Sequence, residues 1–489
     1  MLQSAKQAIK STYEKAMRLA RDGHIADAAN MLDGLALQAP SLPEVHFQRA
    51  RLATLLGQAD KRQIAIDTAL KLRPQEPAIV AEAIEAHTVL GNHDKVLELH
   101  DQQIARDPKA VKPQADKALY LQQAGQFEAS EKLFRKLLKK NPNDAELYRM
   151  FAATHRFKPN DPLIGAMRRL AKHPKLSPKG VMQINYALAK AMEDTRQTDK
   201  VFPHLRKANN SQAALWPEDA KERKQEWQAV VAAQDGLAPI ETKEATSPNL
   251  IFVTGLPRSG TTLAEQIIGS HSQVQAGGEI ATALRTAYTA FGSGTDMQKL
   301  GVLPQDQLRD FAKKLEVQNK RYADATKPCL TDKSIMAFLI YGLLHAALPN
   351  ARFVVVHRDP RDIAVSIYKN YFTGGTHRYA NDLSSISDAI KSFRAIIAHW
   401  RQTLHDRFAE VRYEDLVADP ISGSKALISA AGLPWEDQCL RFHENTGTVK
   451  TLSLHQVRQP VYQSSAAAWR RYETDLQPFF DAWGDTPWD

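Results

Sequence analysis

An α-helical repeat solenoid followed by a three-layer α/β domain with a central parallel sheet is the fold predicted from the 489 residues. Three observations predict it. Glycine and proline recur with one long period through the first half, a buried strand runs into a glycine-containing loop near residue 255, and a second buried strand runs into an arginine-bearing turn near residue 358. This is an α + α/β chain, and its two halves are justified in turn.

Glycines fall at Gly23, Gly57, Gly91 and Gly125, and prolines at Pro40, Pro74, Pro108 and Pro142, every step being 34 residues. Two residue types holding one period through four cycles define a repeat, and this period and pattern match the tetratricopeptide helix–turn–helix unit. Each glycine ends a first helix, where a left-handed residue is cheap only for Gly. Each proline lies beyond the second helix, where a missing N–H breaks no ladder. Ile25, Ala28 and Leu32 in the first unit, and Phe127 and Phe134 in the fourth, supply apolar faces that only stacked neighbours can bury.

After Asn143 the period loosens. Gly180 to Lys207, with Tyr186, Ala187, Ala191 and Phe202, is expected to form a degenerate fifth or capping unit, Glu218 to Val231 a charged helix, and Ala238 to Pro248 a linker. The expected division is therefore 1–237 for the repeat array and 248–489 for the second domain. The array offers either a platform for that domain or a groove for a peptide or protein partner.

Composition narrows the function classes. A net charge of +9 favours anionic partners, but Lys and Arg are dispersed in no long block, which argues against nucleic acid. Two cysteines, Cys329 and Cys439, make neither a disulfide framework nor a zinc site, and two reduced buried thiols are expected. The first twenty residues carry Lys6, Lys10, Glu14, Lys15 and Arg18 without a signal-length apolar run, and no later stretch approaches the roughly 20 apolar residues of a membrane span. A cytoplasmic protein that does not enter the membrane is expected.

In the second half, Leu250 to Val253 reads as a buried parallel strand. It runs into Gly255-Leu256-Pro257-Arg258-Ser259-Gly260-Thr261-Thr262 and a helix from Leu263. Strand, loop, hydroxyls and helix N-terminus form a phosphate cradle of P-loop type. Gly255 and Gly260 keep the Walker A spacing, yet Thr261 stands where that motif has lysine, and the basic residue is Arg258. Loss of that lysine disfavours cleavage of a nucleoside triphosphate. Ala351 to Val356, a second buried strand, leads into His357-Arg358-Asp359-Pro360-Arg361-Asp362 and, eight residues after Arg358, Ser366.

Pro257 to Thr262, His271 to Glu279, Asp332-Lys333, Arg358 to Ser366, Tyr413 to Leu416 and Gln456 to Trp469 together resemble the sulfotransferase domain of tyrosylprotein sulfotransferases. The whole chain resembles a bacterial-type tetratricopeptide-repeat sulfotransferase. The resemblance implies 3′-phosphoadenosine 5′-phosphosulfate as co-substrate and no metal. It places the 5′-phosphosulfate on Pro257, Arg258, Ser259, Gly260, Thr261 and Thr262, and the 3′-phosphate on Arg358 and Ser366. Arg supplies a planar fork of donors suited to phosphate. Glu279 matches the general base that removes the acceptor proton. Lys333, with Arg258, matches the cations that offset charge on the moving group.

Tyr413 corresponds to a tyrosine of the cofactor site, and also suits the core at a strand end. Near the C-terminus Ala467 falls where the animal enzymes have serine, so Ser464, Ser465, Arg470 and Arg471 are the candidates to replace it. His271, at the end of the loop's helix, is expected to pack or cap. Arg361 stands equally as a surface arginine or a cofactor contact. The expected activity is sulfuryl transfer to a hydroxyl acceptor, with protein tyrosine one candidate. The rivals are a P-loop kinase or nucleotide hydrolase, disfavoured by Thr261 and by the Arg358/Ser366 pair, and a repeat scaffold with a nucleotide-sensing domain.

Overall fold

A computed structural model describes residues 2–22, 24–56, 58–241, 248–320, 322–324, 326–372, 375–444 and 467–488. Eight helices make the four repeats: α1 (Leu2–Arg21), α2 (Ile25–Gln38), α3 (Pro43–Leu55), α4 (Ala59–Leu72), α5 (Pro77–Val89), α6 (His93–Arg106), α7 (Val111–Gln123) and α8 (Phe127–Lys140). The glycine–proline period appears directly as structure. Gly91 and Gly125 follow α5 and α7 with φ of 70° and 78°, and each of the four prolines lies two residues beyond its second helix. Gly23 and Gly57 lie outside the described residues. Ala16, Ala50 and Ala118 recur in phase and are fully buried, because only a small side chain fits where paired helices approach.

The array continues through α9 (Ala145–Ala152), α10 (Pro162–Ala171), α11 (Pro178–Asp194), α12 (Val201–Leu215) and α13 (Ala220–Ala232). Asp144, Asp161, Ser177 and Asp219 cap four of these helices by accepting backbone N–H groups, a feature without counterpart in α2 to α8. Helices α11 and α12 form the pair expected around Gly180 to Lys207.

The second half holds a parallel sheet of β1 (Asn249–Thr254), β2 (Val274–Gln275), β3 (Cys329–Asp332), β4 (Arg352–His357) and β5 (Phe408–Arg412), in the order β2-β3-β1-β4-β5. Its helices are α14 (Thr261–Gly269), α15 (Thr282–Phe291), α16 (Gln305–Asn319), α17 (Tyr341–Ala347), α18 (Pro360–Tyr368), α19 (Leu383–Thr403), α20 (Tyr413–Ala418), α21 (Pro420–Ala430) and α22 (Gln477–Trp483). One face of the sheet packs Phe252 on Phe353 with rings stacked at 5.6 Å. The other packs Ile251, Val253, Val354 and Val356 under α14 and α21. Both faces are covered, as an all-parallel sheet requires.

The two halves share one core. The first repeats keep small separate clusters around Leu32 and Ile66, but from Ala115 onward a single apolar cluster runs through α13 and the sheet to Trp483. Trp227 of α13 packs edge-on to Phe338 at 5.4 Å, and Gln234 Nε2 donates to Leu339 O while its Oε1 accepts from Leu343 N. Tyr186 donates to Asn209 Oδ1 (2.7 Å), with Gln212 Oε1 at 2.8 Å. The amides of Asn209 and Gln212 then donate to the carbonyls of Tyr368 (2.9 Å) and Phe372 (3.1 Å). The array thus grips the C-terminal end of α18 and the chain just beyond it.

Candidate active site

In an open parallel sheet, ligands sit beyond the carboxyl ends of the strands, where connections leave in opposite directions. Here every strand delivers one sequence-predicted residue to that edge: Arg258 after β1, Glu279 after β2, Lys333 after β3, Arg358 after β4 and Tyr413 after β5.

The loop after β1 is tight. A Cβ on Gly255 would lie 2.4 Å from Ser259 Oγ and 2.6 Å from Val356 O, and one on Gly260, at φ 102°, would lie 2.4 Å from the Tyr413 ring. Arg258 itself holds a left-handed φ of 71°. Gly260 is the N-cap of α14 and brings no side-chain acceptor, whereas Asp359, Asp382 and Asp419 cap α18, α19 and α21. The Ser259 hydroxyl is fully buried and has no hydrogen-bond partner. A buried hydroxyl without a partner at a helix N-terminus fits an anionic group.

Arg258, Arg358, Ser366 and Tyr413 meet. Arg258 Nε donates to Ser366 Oγ (2.9 Å), Arg358 donates to the carbonyl of Arg258 (2.9 Å), and the Arg358 guanidinium lies 4.6 Å from the Tyr413 ring centre. Tyr413 is therefore both packed, as a strand-end residue, and part of this cluster. Pro257, Thr261 and Thr262 complete the loop and the first turn of α14, with both threonines buried.

Glu279 and Lys333 form an ion pair at 2.8 Å, with Lys333 almost wholly buried and the Glu279 side chain 48% exposed. Their loop is fastened at several points. The N–H of Gly277 donates to Thr331 Oγ1, that of Gly278 to Glu265 Oε1, that of Ala281 to Ser334 Oγ, and that of Lys333 to Gly278 O. Burial pushes the Asp332 carboxyl up to about 6 although it accepts from Ser334. Burial likewise raises the Glu265 carboxyl, against the pull of Lys333.

Other expectations resolve individually. His271 is fully buried, with Nε2 2.9 Å from Pro434 O, and so packs against the segment after α21. Arg361 is structural: it makes a bidentate pair with Asp359 and stacks on Trp469 and Trp488 at 4.3 and 4.7 Å. Ser464 and Ser465 lie outside the described residues, as do Gln456 to Val461 of the resemblance. Arg470 and Arg471 are exposed, the former over Trp469. Cys329 and Cys439 are unpaired and buried. Among the described residues no cluster of three or more His, Cys, Asp or Glu could hold a metal, and no helix is long and apolar enough to cross a membrane.

Two residues escaped the sequence reading. Glu265 had a signal: it is an acid on the apolar stripe Thr261, Ala264, Ile268 of α14. Asp362 accepts the N–H groups of Ala467 (2.7 Å) and Trp469 (2.9 Å) and lies 4.0 Å from Arg358, partners that no local pattern announces.

A strand-to-helix loop joined to an arginine–serine pair is an arrangement able to hold anionic groups. Residues 248–437 match the family model described as "Sulfotransferase family". It is 31% identical over 336 residues to an uncharacterized protein of Aquifex aeolicus, covering 66% of this chain and 44% of that one. It is 31% identical over 226 residues to protein-tyrosine sulfotransferase 1 of Danio rerio, covering 44% and 61% respectively. The chain thus spans less than two thirds of either relative. Among solved structures, the sulfotransferase domain of the Synechococcus PCC 7002 olefin synthase aligns at TM-score 0.35 and 17% identity, covering 47% of this chain and 90% of that one.

Proposed function

We propose that this chain transfers a sulfuryl group from 3′-phosphoadenosine 5′-phosphosulfate to a hydroxyl acceptor, with Glu279 as general base. The observation that carries the proposal is that the loop and the arginine–serine pair meet directly: Arg258 of the loop bonds Ser366, and Arg358 bonds Arg258. A nucleoside triphosphate needs only the first site. A 3′-phosphorylated nucleotide uses both, with Arg358 and Ser366 on the 3′-phosphate and Pro257 to Thr262 around the 5′ group.

Glu279 is exposed enough for an acceptor to reach it, and Lys333 behind it is buried, so the pair divides the work. Glu279 takes the acceptor proton as the hydroxyl oxygen bonds to sulfur. The bond from sulfur to the phosphate oxygen breaks, and its electron pair leaves on that phosphate. Lys333 and Arg258 offset the charge that grows there, a contribution of about 3–4 kcal/mol for one well-placed donor. A metal is not required in this scheme. Tyr413 holds Arg358 by its ring face, and protein tyrosine is one acceptor that the resemblance supports. The repeat array offers a surface for a protein partner, and residues 248–489 with the last array helices form the catalytic unit. Two unpaired thiols suit a cytoplasmic setting.

Calorimetry of adenosine 3′,5′-bisphosphate against ATP, on wild type and Arg358→Ala, tests this. Losing charge-assisted bonds worth about 1.5–3 kcal/mol should weaken bisphosphate binding about 10- to 100-fold, with little ATP affinity in either protein. Preference for ATP, or indifference to Arg358→Ala, overturns the proposal.

A further inference from the structure

We infer that Glu265 is a positioning residue that ties the loop of the general base to the helix of the phosphate cradle. The inference rests on the sulfotransfer reading above and assigns a residue that reading does not use. Glu265 lies one turn inside α14, whose N-terminus forms the cradle. Its carboxylate is buried, and a single oxygen, Oε1, accepts from Gly278 N (2.8 Å) and from Thr331 Oγ1 (2.9 Å). Thr331 in turn accepts from Gly277 N at 3.0 Å. The two residues before Glu279 are therefore both held by one carboxylate–hydroxyl unit.

The loop depends on such a clamp. Gly278 has φ +69°, and a Cβ on Gly277 would lie 2.2 Å from Thr331 O, so the chain passes Thr331 at a distance only glycine allows. Without Glu265, the partly buried Gly278 N–H would lose its acceptor, and the loop would relax to find another. What the clamp needs is an acceptor oxygen of the right length, which glutamine also supplies. The carboxyl's upward shift under burial agrees with a charge that is dispensable there.

The test uses the full chain and four variants: Glu265→Gln, Glu265→Ala, Glu279→Gln, and Glu265→Ala combined with Glu279→Gln. Deuterium exchange of the peptide spanning 276–280 should quicken at least tenfold in Glu265→Ala and stay within threefold in Glu265→Gln. Bisphosphate affinity should stay within threefold in both, showing an intact cradle. Single-turnover consumption of 3′-phosphoadenosine 5′-phosphosulfate, with 2-naphthol as acceptor probe, should fall at least 30-fold in Glu265→Ala. It should recover to within fivefold in Glu265→Gln. The double variant should be no more than threefold slower than Glu279→Gln alone, because groups acting as one unit are non-additive. Unchanged exchange in Glu265→Ala, or full additivity with Glu279→Gln, overturns the inference. A wild type that neither binds bisphosphate nor consumes the donor overturns the functional proposal instead, and the exchange comparison then decides the clamp by itself.

Discussion

Asn209→Ala probes the seam between the two halves most cleanly. Asn209 is fully buried on α12, donates to Tyr368 O at 2.9 Å and accepts from Tyr186 OH at 2.7 Å. Truncation strands the Tyr368 carbonyl, at about 1–3 kcal/mol for a buried unsatisfied group. Tyr186 keeps a partner, because Gln212 Oε1 already lies 2.8 Å from its hydroxyl, so no second penalty of that size is due. The expected loss is about 2 kcal/mol, close to the upper end of the 5- to 30-fold range that one or two kcal/mol imposes on the folding ratio. Tyr368 ends the helix that carries Ser366, so bisphosphate affinity should fall with stability. Urea unfolding followed by tryptophan fluorescence, paired with calorimetry, measures both. Unfolding that becomes biphasic, with an unchanged transition for the nucleotide-binding half, would refute the shared core.

Three further outcomes are expected. Lys333→Ala should slow single-turnover sulfuryl transfer about 100- to 1,000-fold while leaving bisphosphate affinity within about fivefold, since the cation acts on charge that develops during reaction. Asp332 sets a pH dependence: with its folded pKa raised from 3.8 to about 6 by burial, the folded state holds a proton the unfolded chain has released, so stability falls as pH rises from about 4 through about 6. Asp332→Asn should remove that slope in denaturation midpoints across the window. Cys439, fully buried with its thiol pushed up to about 11 by burial and then by Glu436, should resist iodoacetamide at pH 8 until the protein is unfolded.

Helix positions in the array were legible because each repeat repeats its own instructions: a small residue at 16, 50 and 118, a glycine after the first helix, a proline after the second. The predicted site residues were legible for a different reason. Arg258 and Arg358 closely follow strands read as buried apolar runs, whereas Glu279 and Lys333 came from the resemblance, because the short strands before them, Val274–Gln275 and Cys329–Asp332, carry little pattern of their own. What stayed hidden was cooperation at long range. Nothing in the neighbourhood of Asn209 or Gln212 points to carbonyls at 368 and 372, and the linker composition of 238–248 suggested a seam where Ile240 in fact donates its N–H to Ala346 O. Arg361 shows the converse limit. Its position in the motif allowed a cofactor contact, and the two tryptophans that hold it lie more than a hundred residues away.

The five strand ends also bear on how such a domain can change. Arg258, Glu279, Lys333, Arg358 and Tyr413 are separated by crossover segments of very different length, the longest being the 53 residues between β2 and β3. Each side chain follows its own strand within a few residues, and Glu279 is also held from the excursion before it, through Glu265 of α14. Beyond the few residues that carry and brace those side chains, as over 292–328, the excursions can lengthen, shorten or be exchanged without moving that edge, provided the strands keep register. On the sulfotransfer reading proposed above, grafts aimed at new acceptors belong in those outer stretches, and the strand ends are best left alone.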